Sequence, residues 1–228
     1  MTPSSKEIFN RAELLLGAGV MDRLASVRVI LFGVGGVGSW CAEALVRSGV
    51  GHLTIVDSDC VEPSNLNRQL MATVPNLGRP KVEALRERLL SICPEADITA
   101  LRQRYRVGEA FGLEGYDAII DAIDSLHEKA ALILEAAAAP GYFYSSMGAA
   151  RKIDPTQVRV AEFWEVRGCP LGAALRKRLR KAGTLPAKPF LCVYDEEVLP
   201  SEKGTLVSIT GIFGFTLAGL VIQDLLKD

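Results

Sequence analysis

The chain has 228 residues, 49% of them hydrophobic and 23% charged, with 26 Lys and Arg set against 27 Asp and Glu. That composition supports a sizeable core and excludes a disordered chain, while a formal net charge of −1 excludes any overall attraction to nucleic acid or an acidic membrane. The five cysteines, Cys41, Cys60, Cys93, Cys169 and Cys192, are an odd and scattered set with no CxxC pair, which argues against a disulfide framework or a four-thiolate zinc site. The first residues, "MTPSSKEIFNRAELLLGAG", show no basic region followed by an apolar run and a cleavage site, so a reducing cytoplasm is the expected location.

In chain order, "VRVILFGV" (27–34) is a β-branched apolar run of the kind that forms a buried parallel strand. It enters "GVGGVG" and then "SWCAEALVRSGV", where Trp40, Ala44 and Leu45 recur at helical spacing. "HLTIVD" (52–57) is a second strand, ending in an aspartate. "RPKVEALRERLLSICP" (79–94) predicts an amphipathic helix with Val82, Leu85, Leu89 and Ile92 on one face. "ADITALR" and "YDAIIDAID" read as strands three and four, "LHEKAALILEAAAAPG" as a helix and "YFYSSMGA" as a fifth strand. Alternation of this kind predicts an α/β fold, a doubly wound and mostly parallel sheet with right-handed crossovers. After about residue 155 the rhythm changes to an alternating strand "QVRVAEFWEV", a basic helix and an apolar C-terminal segment, a C-terminal α+β extension.

Gly33, Gly35 and Gly38 fit the GxGxxG spacing between a strand and a helix, where glycine permits a tight turn and close approach of backbone to phosphate. Asp57 follows Gly38 by 19 residues, where a carboxylate can accept hydrogen bonds from ribose hydroxyls. NAD, FAD and ATP all use this layout. Downstream, Arg68 in "NLNRQ" and Lys81 in "GRPK" add two cations, and Asp121 and Asp124 are expected to end the fourth strand in "DAID". Two cations and a carboxylate able to hold Mg²⁺ suit a triphosphate better than a dinucleotide. Taken singly, Arg68 reads equally well as a surface ion pair and Asp124 as a helix N-cap.

With "RAELLLG", "GVGGVGSW", "DSDCVEPSNLNRQ", "GRPK" and "DAIDS" in this order, most of the chain resembles the ATP-dependent adenylating family that includes the ubiquitin-activating enzymes and the bacterial activators of sulfur-carrier proteins. The resemblance implies one Rossmann-like adenylation domain across residues 1–228, with a nucleotide-binding core over about 27–150 and a substrate-binding extension over about 151–228. It implies ATP held by Gly33, Gly35, Gly36 and Gly38 with Asp57, Asp59, Asn65, Arg68 and Lys81, and Mg²⁺ held by Asp124. Arg68, Lys81 and Asp124 would then act in catalysis, joined by Arg11 reaching into the neighbouring subunit of a homodimer. A monovalent cation (K⁺ or Na⁺) and a cysteine desulfurase or sulfur-acceptor protein are further associations that the resemblance brings.

Such enzymes activate a carboxylate as its acyl-adenylate. The segments "GAARKIDPTQ", "CPLGAALRKRLRK" and "VYDEE" resemble the tRNA threonylcarbamoyladenosine dehydratases of this superfamily. These adenylate a threonyl carboxylate on a modified adenosine beside the anticodon and then close a ring with loss of water. The other reading within the superfamily is an adenylyltransferase acting on the C-terminus of a ubiquitin-like sulfur carrier. Cys169 in "RGCPLG" is the candidate thiol for a covalent route, but a single cysteine before a helix is more often a small packing residue.

Charge patterning bears on the same choice. Arg167, Arg176, Lys177, Arg178, Arg180, Lys181 and Lys188 occur with no Asp or Glu between Arg167 and Tyr194. Arg176 with Arg180 and Lys177 with Lys181 are i,i+4 neighbours on a helix and are candidate tRNA-binding residues; the plainer reading is a solvated helix face. His52 and His127 read as structural or surface residues. Residues 204–223 carry no charge, long enough to span a bilayer, but Thr205, Ser208, Thr210 and Thr216 fit a strand followed by a buried or dimer-packing helix better. Peripheral association with the inner membrane stays open.

Overall fold

A computed structural model describes residues 3–108 and 111–227. Two helices precede the first strand: α1 (Ser5–Leu16), opened by a capping box between Ser4 and Glu7, and α2 (Ala18–Ser26). β1 (Arg28–Phe32), α3 (Gly38–Arg47), β2 (His52–Val56), α4 (Lys81–Ile92) and β3 (Asp97–Leu101) form two consecutive βαβ units. β4 (Ala118–Asp121), α5 (Leu126–Ala138) and β5 (Tyr142–Ser146) form a third. β6 (Arg159–Glu162), α6 (Pro170–Ala182), β7 (Leu191–Tyr194) and α7 (Val207–Leu225) complete the chain.

All seven strands belong to one sheet in the order β3-β2-β1-β4-β5-β7-β6, parallel throughout except for the antiparallel β6–β7 pair. The expected doubly wound α/β architecture is present. The direction of winding reverses at β1, which pairs with both β2 and β4. Phe32 is in register with Val56 on one side and Asp121 on the other, so three strands end at one level. That reversal leaves a crevice above the carboxyl ends, the place where open α/β sheets bind ligands.

Each face of the sheet carries its own core. Val29, Leu31, Leu53 and Ile55 pack with Cys41 and Leu45 of α3, Leu85 of α4, and Phe213 and Leu217 of α7. On the other face Ile30, Phe32 and Ile119 pack with Leu132 and Ile133 of α5 and Leu175 and Leu179 of α6. The stripe expected on α4 is present: Val82, Leu85 and Leu89 are buried and Ile92 half-buried.

Four features differ from the sequence reading. α1 and α2, ahead of the first strand, were not anticipated as helices; α1 buries none of its residues. β7 is only four residues long and follows the basic run, which hid it. β4 ends at Asp121, three residues before Asp124, because the Asp121 Oδ1 accepts from the Ile123 N–H at 3.0 Å and turns the chain. The apolar C-terminus is one helix with no preceding strand. Ile209, Phe213, Leu217, Val221 and Leu225 recur at helical spacing against the core, and residues 204–206 form no strand ladder: Gly204 accepts from Arg151 and donates to Glu202, and Leu206 accepts from Thr210. By length and composition α7 could cross a membrane, yet 44% of its most apolar window is buried inside the molecule.

Candidate active site

The crevice is a cleft of about 1050 Å³. Its base is the turn from β1 into α3. Gly33 adopts φ 85°, and a Cβ on Gly38 would lie 1.8 Å from the Gly33 carbonyl oxygen, so neither position tolerates a side chain. Gly33, Gly35 and Gly36 line the cleft; Gly38 is buried behind them and serves the turn itself. Asp57, one residue beyond β2, binds this turn to the neighbouring strand. Its Oδ2 accepts from the Val34 N–H at 2.9 Å and its Oδ1 from the Asp59 N–H at 2.9 Å. Burial pushes the Asp57 carboxyl above its ordinary value, and the backbone donors offset this only in part.

The expected cations face the same space. Lys81 opens α4, is buried, and places Nζ 2.9 Å from the Asp59 Oδ2. Burial alone would raise the Asp59 carboxyl; the hydrogen bond and charge of Lys81 outweigh it and hold it below the usual range. Arg68 donates to the Ser64 carbonyl at 2.7 Å and the Asn67 Oδ1 at 2.9 Å, contacts that present its guanidinium to the cleft without a competing carboxylate. Gln69 also lines the cleft, and its buried Oε1 has no hydrogen-bond partner. An acceptor left open beside a glycine turn is the kind of group a polar ligand completes.

Under the far wall lies a charged pair with no solvent contact. Lys129 of α5 places Nζ 2.7 Å from the Asp121 Oδ2 and donates to the Ile123 carbonyl at 2.9 Å. The Ser145 hydroxyl donates to the same Asp121 oxygen at 2.7 Å. Together these contacts shape residues 122–125, which carry Asp124 into the cleft. Among the described residues no three His, Cys, Asp or Glu side chains gather around a metal position. A divalent ion at Asp124 would therefore complete its shell from phosphate oxygens and water, as Mg²⁺ commonly does.

Not every residue expected at the site is there. Asn65 is buried, with Oδ1 accepting from the Glu62 N–H at 3.0 Å, and it does not line the cleft; Asn67 does. Arg11 is exposed on α1, at the opposite end of the sheet from its own cleft. The contacts of α1 put it there: Phe9 approaches Gly49 before β2, and Ser5 bonds Glu95 before β3. The basic residues of α6 are also outside the cleft. Arg176 is half-buried, donating to the Phe163 carbonyl at 3.0 Å, while Lys177, Arg180 and Lys181 are exposed. None of the five cysteines lines the cleft, and Cys169 is a buried packing residue at the start of α6. His127 meets Arg178 at 2.7 Å and His52 meets Asp97 at 3.2 Å, both at the surface. Unanticipated lining residues come from three loops: Gln103–Tyr105, Met147–Ala150 and Lys203–Thr205. Their residues are mostly polar or small; residues 148–150 open the segment "GAARKIDPTQ" that carries the dehydratase resemblance, and the other two loops carry no motif.

A glycine turn, a carboxylate at the end of β2 and an arginine–lysine pair around one crevice define a nucleotide-binding α/β protein of the adenylating class. The chain belongs to the ThiF family, whose model matches residues 9–227. It is 35% identical to a tRNA threonylcarbamoyladenosine dehydratase from Bacillus subtilis (strain 168), over 96% of this chain and 95% of the relative. The crystal structure of Escherichia coli tRNA N6-threonylcarbamoyladenosine dehydratase in complex with ATP superposes with a TM-score of 0.91 at 30% identity, covering 100% of this chain and 98% of that one. Similarity to the E. coli sulfur carrier protein ThiS adenylyltransferase, 36% identical, extends over only 46% of this chain and 42% of the relative.

The buried pair yields a stability prediction. Lys129→Met removes the cation and leaves Asp121 charged and enclosed, which costs about 3–5 kcal/mol when one partner of a buried pair is removed. Urea denaturation of the two proteins measures this. A loss below about 1 kcal/mol, the range of an exposed pair, would show that the two charges do not depend on each other.

Proposed function

We infer that the chain catalyses ATP-dependent dehydration of N6-threonylcarbamoyladenosine in tRNA, by adenylation of the threonyl carboxylate and ring closure. The observation that carries this reading is end-to-end similarity to a dehydratase; a ThiS adenylyltransferase matches less than half of either chain, and a probable adenylyltransferase/sulfurtransferase from Mycobacterium tuberculosis that matches 93% of this chain is itself covered over only 55% of its length. The cleft supplies what adenylation needs. The glycine turn offers backbone N–H groups at the head of α3, Arg68 adds a fork of donors for phosphate oxygens, and Asp57 can accept from a ribose. Mg²⁺ held at Asp124 would, when bound, neutralise phosphate charge.

A carboxylate oxygen attacks the α-phosphorus, the bond to the pyrophosphate oxygen breaks, and the acyl-adenylate forms. An atom of the same side chain then attacks the activated carbonyl and AMP departs. A nucleophile already tied to its electrophile has an effective concentration up to roughly 10⁵–10⁸ M. No enzyme thiol is needed, in keeping with a cleft that no cysteine lines. Nucleoside mass spectrometry of modified tRNA incubated with enzyme and ATP should show loss of one water. Asp124→Ala should lower that rate on the order of 10²–10³-fold with no change in melting temperature, since Asp124 is exposed. A near-normal rate in this variant would remove Asp124 from the metal role.

The reading includes a homodimer. α1 exposes Leu14 at 75% and Leu15 at 82%, a pair of leucines suited to burial against a second copy. Arg11 lies on that helix, about a strand's length, roughly 16 Å, from the carboxyl ends where its own cleft opens. It can serve a neighbour's cleft more readily than its own. Mixing Arg11→Ala with Asp124→Ala chains should therefore restore activity that each lacks alone, through heterodimers with one intact site. Absence of complementation, with subunit exchange demonstrated, would return Arg11 to a surface role.

tRNA would lie along α6. Lys177, Arg180 and Lys181 are exposed there, and the Arg180 guanidinium sits 4.9 Å from the centre of the Trp164 ring. Arg176 is excluded from this surface by its bond to Phe163. Replacing Lys177, Arg180 and Lys181 with Gln should weaken tRNA binding and make its log–log salt dependence shallower by about 0.7–0.9 for each phosphate that is no longer neutralised. An unchanged slope would make α6 an ordinary solvated helix.

A further inference from the structure

The conformation of residues 199–206 is not explained by nucleotide binding. This strap follows β7, crosses beside the cleft and enters α7. It is tied at three points. The Arg151 N–H donates to the Gly204 carbonyl at 2.9 Å, and the Leu199 N–H donates to the Arg151 carbonyl at 2.9 Å. Asn67, next to Arg68, donates from Nδ2 to the Thr205 carbonyl at 3.0 Å. At the start of α7, Thr210 lies against Gly36: a Cβ built on that glycine would be 3.1 Å from the threonine methyl. Arg151 adopts φ 64°, the sole non-glycine residue with positive φ among those described. A backbone held there by tertiary contacts costs free energy that a loop free to relax would shed.

These ties bring Lys203 to the wall of the cleft that the glycine turn and Arg68 also line. Two of the other cleft cations are ion-paired, Lys81 with Asp59 and Arg104 with Glu128; Arg68, held through Nη1 by Ser64 and Asn67, faces the phosphates in the dehydration reading above. Lys203 is exposed and, among the described residues, has neither an ion pair nor a hydrogen bond from its ammonium. Adenylation has an electrostatic requirement that the nucleotide ligands do not meet. An anionic carboxylate must approach an anionic α-phosphate to bonding distance, and two like charges need a cation between them.

We propose that Lys203 binds the substrate's carboxylate and holds it against the α-phosphate during adenylation. The assignment rests on the dehydration reading above. No proton moves in this step: the carboxylate oxygen supplies the electron pair for the new bond to phosphorus, and the displaced pair leaves with pyrophosphate. The lysine ammonium is a compact charge on a flexible stem, suited to follow a carboxylate that becomes an ester and loses its charge.

The test uses the full chain and four proteins: wild type, Lys203→Gln, Lys203→Arg and Lys203→Ala. Two tRNAs are compared, one carrying threonylcarbamoyladenosine and one with unmodified adenosine at that position. Wild type should bind the modified tRNA more tightly, by about 10- to 100-fold for a charge-assisted contact. Lys203→Gln and Lys203→Ala should abolish that preference and lower tRNA-dependent pyrophosphate exchange on the order of 10²–10³-fold. ATP affinity and melting temperature should be unchanged, and Lys203→Arg should retain much of the exchange. Equal weakening for both tRNAs would make Lys203 a backbone-phosphate contact and overturn the proposal. Weakened ATP binding would assign it to the nucleotide and overturn it as well, as would wild-type exchange in all variants. A wild type that shows no exchange with the modified tRNA would overturn the dehydration reading itself, an outcome separate from any effect of the substitutions.

Discussion

The Asp121–Lys129 pair sits where β4, β5 and α5 meet, directly under the point at which the winding of the sheet reverses. A carboxylate and an ammonium enclosed together are costly to desolvate, and the cost is tolerable only when the remaining hydrogen-bonding capacity is used. Here it is used. Ser145 donates to Asp121, Asp121 accepts from the Ile123 N–H, and Lys129 also donates to the Ile123 carbonyl. One pair therefore closes β4 against β5, docks the first turn of α5 and fixes the path of the loop that carries Asp124.

The other side of the cleft is built by the same means. Asp57 commits both carboxylate oxygens to backbone N–H groups, one in the glycine turn and one just beyond β2. Those bonds join the ends of two neighbouring strands before any ligand arrives. A ribose would meet a carboxylate already fixed in place, which lowers the ordering that binding must impose. Lys81 and Asp59 do the same at the head of α4, where the lysine is buried and the aspartate exposed.

Between these two fixed walls the third is a composite of segments distant in sequence. Met147–Ala150 follow β5, Leu171 begins α6, and Lys203–Thr205 lead into α7. The C-terminal part of the chain is thus not an appendage to the nucleotide-binding half. β7 pairs with β5 inside the sheet, α7 packs on α3 and sets Thr210 against the glycine turn, and the strap between them lines the cleft at Lys203–Thr205. The loops of the C-terminal part and the glycine turn are thereby held in one frame around a single cleft.

What the sequence by itself determined is whatever depends on neighbours a few residues apart. β-branched runs made the first five strands legible, helical spacing marked the faces of α3 and α4, and the glycine spacing with Asp57 marked the phosphate turn. The order of short motifs, read through family resemblance, assigned Arg68, Lys81 and Asp124 to one cleft. Contacts that leave no periodic pattern, some local and some between distant residues, decided the rest. Asn65 and Asn67 differ by two positions, yet a local bond to Glu62 turns the first inward and leaves the second facing the cleft. Arg176 and Arg180 are equivalent in the sequence pattern, but packing on α6 gives one to the Phe163 carbonyl and leaves the other at the surface. Lys203 lies in a polar loop with no periodicity, and it joins the site only because Arg151, from the loop after β5, and Asn67, from that after β2, hold the strap across the cleft. Local periodicity records which face of an element is buried; it holds no record of which loops, far apart in the chain, the folded sheet brings to one edge.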